Sequence, residues 1–274
     1  MADTLPKLER LVVRHELLLV LVLGLAGFGS IPLWHGGMEL GWDALNHHFY
    51  LGWIAEQPRF DRDFMAASSQ SVQFPYLYWP VYKLAALGAS GVTAGLVLAA
   101  VQATIVIPAW LLARACMPGA SGFDAAMRMT AVLLALCTSA ILLLVDTTSN
   151  DVLASIPLLW AMALAVAPRD PRRPAWLSDR RSVVLSGLLA GVAVACKWSN
   201  GPLAILLPGL WLLAGQSARE RIGHAAAGSA ATLVAFVLAY GYWAWVLWQW
   251  FGNPVYPMAE GTFAPLRQAL GWHP

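Results

Sequence analysis

Long apolar runs are the sequence feature that most limits what this chain can fold into. Backbone groups inside a bilayer must bond to one another, and a helix needs about 20 apolar residues to cross a hydrocarbon core about 30 Å thick. The runs therefore predict an all-α membrane helix bundle of about seven transmembrane helices. The predicted spans are residues 17–34, 90–115, 125–145, 151–168, 182–197, 200–216 and 225–251.

Composition supports a single transmembrane domain over residues 1–274. The chain is 59% hydrophobic and 12% charged, whereas soluble domains carry about 25% charged residues. Its 17 Lys and Arg residues form no long basic run with interleaved aromatics, which argues against a nucleic-acid partner. The three cysteines lie far apart and lack metal-site spacing.

The distribution of basic residues predicts the orientation, because short loops rich in Lys and Arg stay cytoplasmic. The N-terminal segment and the second, fourth and sixth loops are basic, and all four fall on one side. The linker 169–181 is thus expected in the cytoplasm, and the loop 35–89 and the tail 252–274 on the outer side. Spans five and six are short enough to be a re-entrant pair instead, and either arrangement leaves the tail outside. The basic residues concerned are Lys7, Arg10, Arg14, Arg114, Arg128, Arg169, Arg172, Arg173, Arg180, Arg181, Arg219 and Arg221.

The first outer loop holds the stretch GWDALNHHFYLGWIAEQ, residues 41–57. At 3.6 residues per turn it forms an amphipathic helix with an aromatic stripe and an opposite polar face. Such a helix lies flat at the outer interface and presents an acid, an amide and an imidazole above the bundle. An ordinary interfacial helix is the alternative, although the polar face carries no Lys or Arg. The stripe is Trp42, Leu45, Phe49 and Trp53, and the polar face is Asp43, Asn46, His47 and Tyr50.

A second acidic position opens the fourth span, after the sequence DTTSND. Asn150 or Ser149 can cap this helix, and the helix dipole favours Asp151 in its first turn, so capping alone also explains the acid. The topology places Asp146 and Asp151 on the same side as Asp43. Two carboxylates are therefore expected to face one cavity.

Candidate phosphate ligands lie on the same side. Lys197 ends the fifth span in ACKWSN, where a lysine either extends its charge to the interface or binds an anion. Arg59, Arg62 and Lys83 of the first outer loop are the other candidates, since their charge suits a phosphate.

Together, WDALNHH, SND, ACKWSN and GNPVYP resemble motifs of the C-type (GT-C) integral membrane glycosyltransferase superfamily. The likeness covers residues 17 to about 258 and is to a shortened form of the bacterial mannosyltransferase and aminoarabinose-transferase branch. It implies a seven-span enzyme of the bacterial inner membrane that takes a polyprenyl-phosphate sugar donor at the outer face. By position, Asp43 matches the family's catalytic base and Asp151 matches the acid of its second outer loop.

The residues suit this chemistry. A carboxylate base must lie within about 3 Å of the acceptor hydroxyl, and the departing lipid phosphate needs a cation as negative charge develops. His47, one turn from Asp43, is a candidate for binding the acceptor or a divalent cation. One Asp and one His do not make a metal site, so no metal ligands are assigned.

Two other functions remain open. Relatives often pair two acids in the first loop and continue beyond the NPVYP segment, whereas Ala44 follows Asp43 here. A non-catalytic accessory subunit of a larger respiratory or photosynthetic membrane complex is therefore the alternative. Transport is less favoured, because spans three and four offer few charged residues for a polar route.

Overall fold

The computed structural model describes residues 7–272. Residues 1–6 and 273–274 lie outside the described part, including the last two residues of the predicted tail. Within residues 7–272 the chain is helical and has no strand beyond one isolated bridge. The α-helices are α1 (Lys7–His35), α2 (Phe49–Ile54), α3 (Trp79–Ala86), α4 (Gly91–Ala103), α5 (Val106–Cys116), α6 (Gly122–Leu136), α7 (Ser139–Leu142), α8 (Asp151–Val166), α9 (Asp179–Cys196), α10 (Gly201–Ala204), α11 (Leu207–Trp211), α12 (Ala218–Phe251) and α13 (Glu260–Ala269). A π-helix covers Ala44–His48, and 3₁₀-helices cover Ser68–Val72, Ala167–Arg169 and Trp198–Asn200.

Four helical stretches of the described chain are long and apolar enough to cross a membrane. They are Glu9–His35, Gly91–Cys116, Asp151–Arg169 and Ala218–Phe251. These stretches coincide with the first, second, fourth and seventh predicted spans. The all-α class is therefore confirmed, and four of the seven predicted spans have the length and composition of membrane-crossing helices.

The other three predicted spans are helical but do not meet these requirements, because of their length, their composition or an interruption. The third contains α6, which has 15 residues and ends at Leu136, and the fifth is α9, with 18 residues. The sixth is divided into α10 and α11, each with a proline in its first turn. Pro202 and Pro208 fit helix starts but remove backbone donors that a continuous helix would need.

Helix α9 packs against α12 in parallel, through glycines. A Cβ atom added at Gly187 would collide with the Gly228 carbonyl, and one at Gly191 would collide with the Thr232 carbonyl. Moving four residues along α9, from Gly187 to Gly191, moves the contact four residues along α12, from Gly228 to Thr232. The two helices therefore run in the same direction. Glycines spaced four apart allow helix backbones to approach this closely.

The bundle has two ends, which we name from their contents. The site end carries the start of α8 at Asp151, and the backbone of Glu39 pairs there with Thr147. The linker end carries the segment 169–178 that follows α8, where Arg114 bonds Asp170, and Glu9 accepts a bond from the Gly122 amide. Loops predicted to share a side therefore meet at the same end of the bundle.

A buried ion pair stabilises the linker end. Arg128 is 0% exposed and binds both carboxylate oxygens of Glu16 at 2.7 Å. The same guanidinium donates to the carbonyls of Met117 and Gly119, and Trp110 donates to Glu16. Arg128 is thus a buried, paired charge inside the bundle, whereas the sequence predicted a charge beside the second loop.

Residues after α12 fold back on that helix. Trp272 stacks on Trp248 with ring centroids 5.7 Å apart, and the buried Asn253 donates to the Met258 carbonyl and to Glu260. The tail therefore covers the end of α12 next to the first outer loop, which itself packs on α12 through a bond from Trp243 to the Val72 carbonyl.

Candidate functional site

The first outer loop begins its helical stretch with a π-helix, Ala44–His48, before α2. A π-turn bonds residue i to i+5 and inserts extra chain into the helix, so residues five apart take the positions that an α-helix gives to residues three or four apart. The predicted helix over 42–57 is therefore present only in part, and it ends at Ile54. Its polar face differs from the one expected from a 3.6-residue period.

Of the predicted polar face, Asp43 lines the cavity that also contains Asp151, whereas Asn46, His47 and Tyr50 do not. Asn46 donates to the Trp42 carbonyl at 2.7 Å, and the Tyr50 hydroxyl points to Asp63 at 3.5 Å. His47 is buried, and its Nδ1 lies 3.9 Å from Asp43 with no hydrogen-bond partner in the described chain. Burial raises the pKa of Tyr50 to about 12, with a further contribution from Asp63.

The aromatic stripe is partly as predicted. Trp42 and Leu45 are exposed, as expected for side chains that meet the headgroup region. Phe49 and Trp53 are half-buried instead, because the π-turn rotates the second half of the helix toward the bundle.

Asp43 and Asp151 line one cavity of about 290 Å³ at the site end, here called the acidic cavity. Asp43 comes from the first outer loop and Asp151 from the first turn of α8, so two separate segments bring the carboxylates together. The Asp43 side chain is 61% exposed and pairs with no Lys or Arg among the described residues. The other lining residues are Glu39, Gly41, Trp42, Ala44, His48, Leu144, Thr147, Thr148 and Ser149.

The buried Asp146 fixes one wall of the acidic cavity. Its carboxylate bonds Nδ1 of His35 at 2.6 Å, and its carbonyl accepts the Glu39 amide at 2.9 Å. These bonds tie the end of α1 and the start of the outer loop to the segment before α8. Asp146 thus positions the wall and does not line the acidic cavity, contrary to one possibility raised from the sequence.

His48 is the cavity residue that the sequence pattern missed. Its Nδ1 lies 2.7 Å from the Thr148 hydroxyl, and its ring stacks on Tyr78 at 4.5 Å. Burial, followed by the neighbouring His47, lowers the pKa of His48 to about 4, so the imidazole is neutral near pH 7. In the sequence, His48 follows Asp43 by five residues. A π-turn places residues with this spacing on the same face of a helix, so the spacing could have indicated that His48 lies beside Asp43.

Asp151 is held by two neighbours. The Ser149 hydroxyl donates to it at 2.5 Å, and Lys197 Nζ donates to its other oxygen at 2.5 Å. Lys197 also donates to the Asn150 side chain at 3.0 Å. Of the two predicted caps, Ser149 accepts the Asp151 amide at 3.3 Å, whereas the Asn150 side chain makes no capping bond.

A second cavity of about 240 Å³, here called the aromatic cavity, lies on the other side of Lys197. Lys197 and Asn150 line it, while Asp151 lines the acidic cavity. The bonds from Lys197 to these two residues therefore form a partition between the cavities. The remaining lining residues are Val72, Gln73, Phe74, Cys196, Trp198, Ser199, Tyr240, Val255, Tyr256, Pro257 and Met258.

The other three predicted phosphate ligands line neither cavity. Arg59 pairs with Asp63 at 3.0 Å and covers the Trp53 ring. Arg62 lies 3.5 Å from Asp61, and Lys83 pairs with Glu56. Of the four predicted cations, Lys197 alone contacts one of the two cavity acids, and that acid is Asp151.

Metal binding has limited support from the donors present. No group of three or more His, Cys, Asp or Glu side chains that could hold a metal ion occurs within residues 7–272. A divalent cation beside Asp43 would take most of its ligands from water or from the phosphate of a substrate.

Comparison with known proteins identifies no family for the chain. No family model, curated protein or solved structure matches it.

Proposed function

We propose that this protein is a membrane glycosyltransferase that moves a sugar from a polyprenyl-phosphate donor to an acceptor hydroxyl at the outer membrane face. The observation that carries the proposal is the acidic cavity, where Asp43 and Asp151 from two segments meet. Two carboxylates in one cavity, one of them free and one paired with a lysine, provide the base and the phosphate-binding cation that such a transfer needs.

Asp43 is the proposed base. It is largely exposed, has no Lys or Arg partner in the described chain, and its nearest cationic candidate is His47, whose pKa is lowered mainly by burial. A neutral imidazole leaves the Asp43 carboxylate free to accept the proton of an acceptor hydroxyl. The acceptor oxygen would bind within about 3 Å of the carboxylate.

Lys197 is the proposed ligand of the donor phosphate. It lies on the partition between the cavities and already binds carboxylate and amide oxygens. A phosphate entering from the aromatic cavity would replace Asp151 as the partner of Lys197, since charge-assisted bonds to phosphate are of comparable strength. The aromatic walls suit the apolar chain that follows the phosphate.

The proposal includes the finer topology. The chain would cross a bacterial inner membrane seven times, with a cytoplasmic N-terminus, a periplasmic tail and interfacial helices in the first outer loop, as in the GT-C superfamily that it resembles. The distribution of the loops supports this topology. Loops predicted to be outer meet at the site end, and segments predicted to be cytoplasmic meet at the linker end.

The test is sugar transfer by membranes containing the full chain, supplied with a panel of polyprenyl-phosphate sugars and compared with membranes that lack the chain. Asp43→Asn should abolish the chain-dependent transfer because the amide cannot take the proton. Asp61→Asn is the matched control, since Asp61 is an exposed acid of the same loop outside both cavities. Equal transfer by the wild type and by Asp43→Asn would rule out Asp43 as the catalytic base.

An accessory-subunit function is the second candidate. Helix α12 exposes large apolar side chains along its length, among them Leu238, Tyr242 and Trp245, which suit either lipid or a partner helix. Stoichiometric copurification with a large membrane complex after mild detergent extraction, together with absence of transfer, would favour this function.

A further inference from the structure

A groove unrelated to the acidic cavity lies at the linker end of the bundle. It runs between α5 and α8, has a volume of about 310 Å³ and is covered by the linker that follows α8. Its apolar walls are Leu111 of α5 and Trp160 and Leu164 of α8. All three belong to helical stretches apolar enough to cross a membrane.

Three arginines line this groove: Arg114, Arg172 and Arg173. Asp170 is the acid that borders it with them, so the lining carries a formal charge of +2, three guanidinium groups minus one carboxylate. A phospholipid has apolar acyl chains attached to a charged phosphate. The groove offers a matching pair of surfaces, apolar walls for the acyl chains and arginines for the phosphate.

The linker holds this arrangement in place. The buried Asp170 accepts Arg114 Nε at 2.7 Å and the Arg172 amide at 2.9 Å. Arg173 is occupied by Asp179 at 2.5 Å. The Arg172 guanidinium has no carboxylate within salt-bridge distance among residues 7–272, and its one bond is a 3.4 Å contact to the Pro118 carbonyl. Arg172 therefore has donors available for an anion.

We propose that this groove binds one anionic phospholipid, with its phosphate at Arg172 and an acyl chain between α5 and α8. Charge complementarity selects the anionic headgroup, and basic pockets between membrane helices are known sites for such lipids. Trp176, exposed beside the groove, suits the interface between headgroup and hydrocarbon. The inference is independent of sugar transfer, since it uses the opposite end of the bundle.

The test is native mass spectrometry of the detergent-purified full chain, titrated with phosphatidylglycerol or phosphatidylcholine. Arg172→Gln should weaken phosphatidylglycerol binding about fivefold, the effect of one arginine near a membrane surface. Arg219→Gln is the matched control, because Arg219 is exposed in the first turn of α12 and lies outside the groove. Circular dichroism and thermal melting of each variant establish that it is folded.

Weaker phosphatidylglycerol binding by Arg172→Gln alone, with weak phosphatidylcholine binding throughout, supports the site. Unchanged binding by Arg172→Gln overturns it. Equal weakening by Arg219→Gln also overturns it, because net charge would then explain the effect. Phosphatidylcholine binding as tight as phosphatidylglycerol, or displacement of phosphatidylglycerol by inorganic phosphate, contradicts recognition of an anionic lipid.

Discussion

Replacing Gly191 by alanine tests the contact that positions Lys197. A methyl group at Gly191 would overlap the Thr232 carbonyl and lie 2.8 Å from both Ala235 Cβ and Phe236 N. An ordinary carbon contact is about 3.5 Å, so α9 and α12 must separate by at least about 0.7 Å. Overpacking of this kind costs about 1–3 kcal/mol, while alanine regains up to about 1 kcal/mol over glycine in a helix.

Subtracting the full alanine gain leaves a net loss of about 0–2 kcal/mol, equivalent to at most roughly 8 °C in Tm for a chain of this size. The loss relative to a variant with the same alanine gain is the overpacking cost alone. Because α9 ends directly before Lys197, its displacement should also weaken the bond from Lys197 to Asp151. The assay is thermal unfolding in detergent, followed by tryptophan fluorescence. Gly223→Ala is the matched control on α12, since nothing lies within 4 Å of a Cβ there, and it should be neutral or slightly stabilising. A Gly191→Ala protein as stable as Gly223→Ala would refute the proposed packing.

Two further predictions concern buried charge. Glu16→Gln should destabilise the protein by about 3–5 kcal/mol, since it leaves the buried Arg128 without its carboxylate; thermal melting checks this, and a loss under about 1 kcal/mol would contradict it. His48 has a pKa lowered to about 4 from the usual 6.5, so the unfolded state binds more protons between these values and stability falls as pH drops from about 6.5 to 4, by at most about 3 kcal/mol. His48→Gln should flatten this part of the pH dependence of Tm, and an equally steep decline in the variant would show that other groups cause it.

The sequence predicts the architecture better than the site. Apolar runs identify candidate membrane-spanning helices because lipid requires the backbone to bond internally, and four of the seven predicted spans coincide with helical stretches long and apolar enough to cross a membrane. The pattern also places Asp43, Asp151 and Lys197 at one end of the bundle, since the number of spans between them fixes their side.

The side chains that complete the site could not be predicted in the same way. A helical projection assumes 3.6 residues per turn, so the π-helix at Ala44–His48 brings His48 to the acidic cavity in place of His47. Ion pairing is equally invisible in a charge count. Arg128 and Glu16 lie 112 positions apart, and only tertiary packing makes them partners.

The central claim is that Asp43 and Asp151 share one cavity at the outer face. We would replace the native cysteines, introduce Asp43→Cys and Asp151→Cys together, and treat intact cells with a bulky, membrane-impermeant maleimide. The first adduct is expected to slow labelling of the second thiol, because both side chains line one cavity of about 290 Å³, whereas the two thiols of Asp43→Cys combined with Arg62→Cys should be labelled independently. Independent labelling of the first pair, or no labelling before the cells are broken, would contradict the claim.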